Sequence, residues 1–283
     1  MIIMRHASFS RLLAVLTIST ILFSYEGHAR ELIVMESENL KCNDSVLVFT
    51  PKNENGIEIE PVANLFLLHG WGGCYSNWSD KYDLQQICDR TGFRIICPDG
   101  FYNSWYLNNS DSTQMQWRAF FHEELYPLME EKYGIKPENT FITGLSMGGH
   151  GAVNIFIDNI DKFRACGSMS GVLNLQYTSL KDKEIKKIVG DKTERYDSES
   201  AVVRIASVAE RLQDADKPII VTCGYGDVYS KCSEEFSDKC RELSVPHILM
   251  LSPGVHSWAY WGFALEEHLF LFNKILKGEN LGY

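Results

Sequence analysis

Several signatures are missing from these 283 residues. No C-x-x-C pair occurs and no histidine–cysteine group has zinc spacing, so no zinc site is expected. No internal repeat or low-complexity tract is present, which excludes a solenoid or an array. Beyond Phe23 there is no long apolar run, so the bulk of the chain is expected to be soluble. Acidic runs long enough to act as a binding tail are also lacking. A net charge of -10 argues against nucleic acid and anionic membrane surfaces as main partners.

The N-terminal stretch has the features of an export signal. Arg5 and Arg11 supply positive charge, Leu12 to Phe23 is an apolar run too short to span a bilayer comfortably, and Gly27-His28-Ala29 offers small residues for cleavage. Residues 1–29 are therefore expected to be a signal peptide, with a secreted or periplasmic domain over 30–283 and no stable membrane insertion after cleavage. No cysteine follows the apolar run to accept a lipid. Export permits disulfides among the eight cysteines, and Cys232 with Cys240 is the favoured local pair. Cys97, Cys166 and Cys223 lie in apolar strand-like runs, where buried free thiols are expected.

Strand-like and helix-like segments alternate, which predicts an α/β fold with a mainly parallel central sheet flanked by helices, in a single domain. An opening hairpin is expected from Glu31 to Met35 and Ser45 to Phe49. Further strands are expected over Asn64 to Leu68, Phe93 to Cys97, Thr140 to Thr143, Ala165 to Met169, Pro218 to Cys223 and His247 to Leu251. The helical segments are Tyr82 to Arg90, Arg118 to Tyr133 closed by Gly134, Glu234 to Leu243 and Trp258 to Leu276. Asn174 to Ser200 is polar, breaks the rhythm, and is expected to insert over one end of the sheet.

Gly144-Leu145-Ser146-Met147-Gly148 fits G-x-S-x-G between a β-rich segment and a helical one. A serine on such a turn has a strained backbone, an exposed hydroxyl and a helix N-terminus beside it. The pattern alone also describes ordinary glycine-rich turns; its context points to a nucleophile. Acyl transfer then needs a base, an orienting acid and two oxyanion donors. Asp227 follows a strand and the turn Gly224-Tyr225-Gly226, and is the acid candidate. His256 lies in the loop before the last helix and is the base candidate. His69-Gly70-Trp71-Gly72-Gly73 follows the first buried strand and is the oxyanion-loop candidate, with the N–H groups of Trp71 and Met147 as donors and His69 shaping the loop. Trp105, Tyr106 and Trp258 are expected to contact substrate, although such rings also pack beneath loops.

These motifs together resemble the putative-esterase family of the α/β-hydrolases. The resemblance runs from about Asn64 to the C-terminus. It rests on Leu67-Leu68-His69-Gly70, Pro98-Asp99-Gly100, Gly144-Leu145-Ser146-Met147-Gly148-Gly149, Gly226-Asp227 and His256-Ser257-Trp258. It implies Ser146, Asp227 and His256 as the triad, Trp71 and Met147 as oxyanion donors, and no metal or organic cofactor. The family includes S-formylglutathione hydrolases, feruloyl and acetylxylan esterases, and mycolyltransferases. An exported esterase acting on acetyl or hydroxycinnamoyl groups of soluble oligosaccharides, or on small acyl esters, fits best. The other readings are an S-formylglutathione hydrolase-like thioesterase, an acyltransferase, a prolyl-oligopeptidase-like serine peptidase, and a non-catalytic binding protein.

Overall fold

The computed structural model describes residues 21–23, 30–178, 183–190 and 192–282. Most of the expected export signal lies outside them. Its Ile21–Phe23 forms strand β1, paired antiparallel with Leu32 to Val34. The opening hairpin is β2 (Arg30–Ser37) and β3 (Cys42–Phe49), in antiparallel register from Arg30↔Phe49 to Ser37↔Cys42.

The remaining strands are β4 (Ala63–Leu68), β5 (Phe93–Pro98), β6 (Thr140–Gly144), β7 (Ala165–Met169), β8 (Ile219–Gly224) and β9 (His247–Ser252). They form one nine-stranded sheet in the order β1-β2-β3-β5-β4-β6-β7-β8-β9. From β5 to β9 all neighbours are parallel, whereas β3 meets β5 antiparallel. The strands β4 to β8 are buried along their whole length, and successive side chains enter opposite layers. Leu65 and Leu67 join one core; Phe66 and Leu68 join the other.

Helices cover both faces. One layer holds α1 (Leu84–Thr91) and α10 (Trp258–Leu276). The other begins with α2 (Trp117–Phe120), a π-helical turn at Phe121–Leu125, α3 (Tyr126–Tyr133) and α4 (Met147–Asp158). It continues with α5 (Lys183–Val189), α6 (Thr193–Glu199), α7 (Ala201–Arg204), α8 (Ala209–Ala215) and α9 (Ser230–Glu242). The expected continuous helix over Arg118 to Tyr133 is thus interrupted. Pro127 has no N–H for the carbonyl four residues back, and the ladder widens before it. Beyond it, Gly134 closes α3 in the left-handed region at φ 61°. Among the described residues, no helix is long and apolar enough to cross a membrane.

All eight cysteines are free. The expected Cys232–Cys240 pair is corrected. Both residues lie on α9 and are buried; eight residues of helix separate their backbones by about 12 Å, beyond disulfide reach.

Strand order changes direction around β4. Chain leaving β4 goes to β5 on one side, and later returns to β6 on the other. Parallel sheets open a crevice outside the strand C-termini at such a point. The loops after β4, β6, β8 and β9 all reach this edge.

Candidate active site

The serine turn is stitched into both neighbouring strands. Leu145 N–H donates to Leu68 O at 3.2 Å, and Ser146 N–H donates to Met169 O at 2.9 Å. Ser146 itself sits at φ 52°, ψ -114°, a left-handed conformation that strains a side-chain-bearing residue. The turn tolerates this because the chain on either side is held. A Cβ on Gly148 would come within 2.5 Å of His69 O and 2.6 Å of Leu68 O, so only glycine lets α4 leave the turn this close to β4. Ser146 caps α4 and Met147 is its first helical residue, whose N–H has no intrahelical acceptor.

Asp227 and His256 arrive from the ends of β8 and β9. Their loops cross with glycine against glycine: a Cβ on Gly224 would lie 2.4 Å from the Gly254 carbonyl carbon. Tyr225 N–H bonds Ser252 O and Gly226 N–H bonds Gly254 O, each at 2.9 Å. This crossing sets the carboxylate against the imidazole. His256 Nδ1 lies 2.9 Å from Asp227 Oδ2 and 3.1 Å from Oδ1. A carboxylate only accepts, so Nδ1 carries the proton and Nε2 offers its lone pair. His256 Nε2 meets Ser146 Oγ at 3.0 Å.

Burial pushes the Asp227 carboxyl up, but the bonds from His256 and the Tyr229 N–H outweigh it and hold it below the usual carboxylate range. Two rings flank the imidazole edge to face: Trp261 at 4.8 Å and Tyr229 at 5.2 Å. Neither was singled out from the sequence. Trp261 lies one helical turn beyond Trp258, and Tyr229 is two residues past Asp227, so their positions were the available signals.

The loop after β4 is held by His69. Its Nδ1–H donates to Gly70 O and its Nε2 accepts from Gly100 N–H, both at 2.8 Å. Gly72 N–H donates to Tyr102 O and Gly73 N–H to Gly70 O. Trp71 N–H is given to no backbone acceptor among the described residues. Trp71, Ser146 and His256 line one cleft of about 710 Å³, together with Trp105, Tyr177, Thr178, Tyr229, Trp258 and Trp261. Tyr177 and Thr178 come from the segment expected to cover the sheet end.

Trp105 and Trp258 thus border the cleft, and Tyr106 does not. Tyr106 is fully buried, with its hydroxyl donating to His69 O at 2.9 Å and its ring edge-on to Trp117 at 4.5 Å. Trp105 and Tyr106 both have positive φ, which folds this run inward and makes Tyr106 a strut beneath the loop. Two other histidines near the sheet, His150 and His268, are fully buried, and burial holds each down at about 3. They are structural groups.

The putative esterase family model matches residues 37–272. An S-formylglutathione hydrolase from Arabidopsis thaliana is 23% identical over 257 residues, covering 82% of this chain and 88% of the relative. An acetyl esterase from Caldicellulosiruptor saccharolyticus is 22% identical over 243 residues, covering 80% of this chain and 91% of the relative. Among solved structures, a ferulic acid esterase superposes with a TM-score of 0.75 at 23% identity, covering 88% of this chain and 100% of that one. The sheet order, the serine turn and these likenesses agree: the chain has the α/β-hydrolase fold and belongs to the putative esterase family.

Proposed function

We propose that this carboxylic ester hydrolase is an exported serine esterase that works through an acyl-enzyme on Ser146. Its substrates are acetyl or hydroxycinnamoyl esters of oligosaccharides, or small acyl esters. The observation that carries this reading is the unbroken relay from Ser146 Oγ through His256 to Asp227.

His256 Nε2 takes the Ser146 proton as Oγ attacks the ester carbonyl. The resulting oxyanion rests on the Trp71 and Met147 N–H groups, each such donor contributing about 3 kcal/mol to transition-state stabilisation. Asp227 keeps Nδ1 protonated and stabilises the imidazolium. The tetrahedral intermediate then collapses, and His256 gives its proton to the leaving alcohol. Water, deprotonated by the same nitrogen, attacks the acyl-enzyme and releases the acid and free Ser146. Ser146→Ala is expected to abolish p-nitrophenyl acetate turnover; ordinary rates in that variant would overturn the reading.

The relatives named acetyl esterase and ferulic acid esterase support the ester classes. The relative named S-formylglutathione hydrolase supports a second reading, a thioesterase with the same steps. Side-by-side kcat/KM values for S-formylglutathione and acetylated xylo-oligosaccharides separate the two. Export rests on Arg5, Arg11, the Leu12 to Phe23 run and Gly27-His28-Ala29. Cleavage after Ala29 removes β1 and leaves β2 as the sheet edge. N-terminal sequencing of the protein recovered outside the cytoplasm, expected to start at Arg30, tests it.

A further inference from the structure

Two exposed aromatic rings take no part in the steps above: Trp71, which lines the cleft, and Tyr102, which leans on it from outside the lining. Trp71 is 51% exposed and Tyr102 is 57% exposed, and they touch, with ring centroids 4.8 Å apart and planes at 65°. A single exposed ring is ordinary on a protein surface; here the second ring extends the exposed aromatic surface outward from a ring that lines the cleft. The backbones beneath them are pinned. Gly72 N–H donates to Tyr102 O at 2.7 Å, joining the loop after β4 to the loop after β5. Phe101 N–H donates to Asp99 Oδ1 at 2.7 Å, and His69 bridges Gly70 and Gly100 below. The rings are therefore presented to solvent by a stiff base, and each loses little side-chain freedom when it is covered.

The cleft that Trp71 lines has a matching character. Trp71 lines it beside Ser146, and Trp258, Trp261, Trp105 and Tyr229 form other parts of its wall. Among the described residues lining it there is no lysine, arginine, aspartate or glutamate. Recognition at this mouth rests on ring faces and shape, with no fixed charge to pair with an ionic substituent.

We infer that Trp71 and Tyr102 form a stacking lip for the face of an uncharged ring carried by the ester substrate. The inference rests on the esterase reading above and narrows its substrate. Aromatic faces are electron-rich and attract the C–H-bearing face of a pyranose or the edge or offset face of an aryl group. The ring therefore belongs either to a sugar alcohol or to an aryl acyl group. A glutathione thioester, with two carboxylates and an ammonium beside its thioester arm, brings no such ring to the lip.

The test uses the full chain with Tyr102→Ala and Tyr102→Trp, because the carbonyl of Tyr102, and not its side chain, holds Gly72. Three substrates are compared: vinyl acetate, which has no ring, an acetylated methyl xyloside, and methyl ferulate. Tyr102→Ala is expected to raise KM for a ring-bearing ester roughly three- to tenfold relative to vinyl acetate, with kcat little changed. Tyr102→Trp is expected to restore it. A loss confined to the xyloside assigns the ring to the alcohol; a loss confined to methyl ferulate assigns it to the acyl group. Unchanged KM ratios for both ring esters overturn the inference. Fluorophosphonate labelling of the Tyr102→Ala protein at Ser146 keeps the two levels apart: labelling with unchanged ratios rejects the lip alone, and absent labelling in the parent chain rejects the esterase reading itself.

Discussion

His256 and Trp261 meet edge to face, with centroids 4.8 Å apart and planes at 88°. The indole stands on α10 and blocks one direction of imidazole swing, while Tyr229 blocks another. The ring can therefore bridge Ser146 and Asp227 without searching. Trp261→Leu removes this stop. Misplacement of a reacting group by about an ångström costs roughly a hundredfold in rate. We expect kcat to fall ten- to a hundredfold in Trp261→Leu, with a smaller fall in Trp261→Phe and unchanged far-ultraviolet circular dichroism in both. Equal kcat values for parent and Trp261→Leu would remove the positioning role.

Asp227→Asn tests the acid end of the relay. The amide cannot serve as an acceptor-only anion for Nδ1–H, so the wrong tautomer and an uncompensated imidazolium follow. A loss of about ten-thousand-fold in kcat is expected. Because the native carboxyl is held below its usual range, it contributes stability above a pH of about 3.9 that is lost as pH falls through its folded value. Near-normal turnover in Asp227→Asn would move the acid role elsewhere.

His268 gives a pH-linked stability prediction. From α10 its Nδ1 reaches Thr143 Oγ1 on β6 at 2.8 Å and its Nε2 reaches Thr222 Oγ1 on β8 at 3.1 Å. Burial holds it down at about 3, whereas an unfolded histidine titrates at about 6.5. Between these values the unfolded chain binds a proton that the folded chain refuses. Stability is therefore full above about pH 6.5 and falls with decreasing pH, by about 1.4 kcal/mol per pH unit from this group. Urea unfolding from pH 7.5 to 5.5 is expected to show a shallower slope in His268→Gln, which keeps a polar head but does not titrate. Identical slopes would contradict the assignment.

The thiols provide a structural check. Cys42 is exposed and Cys74 partly so, while the other six are buried. Burial pushes Cys232 and Cys240 up to about 12. A thiol reagent is expected to modify about two cysteines per native molecule and all eight after denaturation. A denatured count of six or fewer without reductant would reveal a disulfide.

Much of this architecture is legible in the sequence. The helix Trp258–Leu276 could be read to the residue because Ser257 caps it, accepting a bond from Tyr260 N–H, and its apolar spacing never breaks. Ser146, Asp227 and His256 were legible as neighbours because each follows the C-terminal end of a parallel strand, and such ends share one edge of the sheet. Loop side-chain direction was not legible. Tyr106 reads like Trp105 in sequence, yet their positive φ angles turn the run inward and bury its hydroxyl under His69. Tyr102, three residues before Trp105, instead faces solvent. Cys232 and Cys240 look like a local pair only until α9 is drawn through both. The π-helical turn before Pro127 was similarly hidden, since apolar spacing survives one widened turn.

The most direct test of the central claim is to trap the acyl group. p-Nitrophenyl acetate is mixed with the enzyme, quenched in acid within the first turnover, and the protein is digested and mapped by mass spectrometry. The account predicts one acetyl group on the peptide carrying Ser146, absent from Ser146→Ala. Sustained hydrolysis with the acetyl group on another residue, or persisting undiminished in Ser146→Ala, would contradict it.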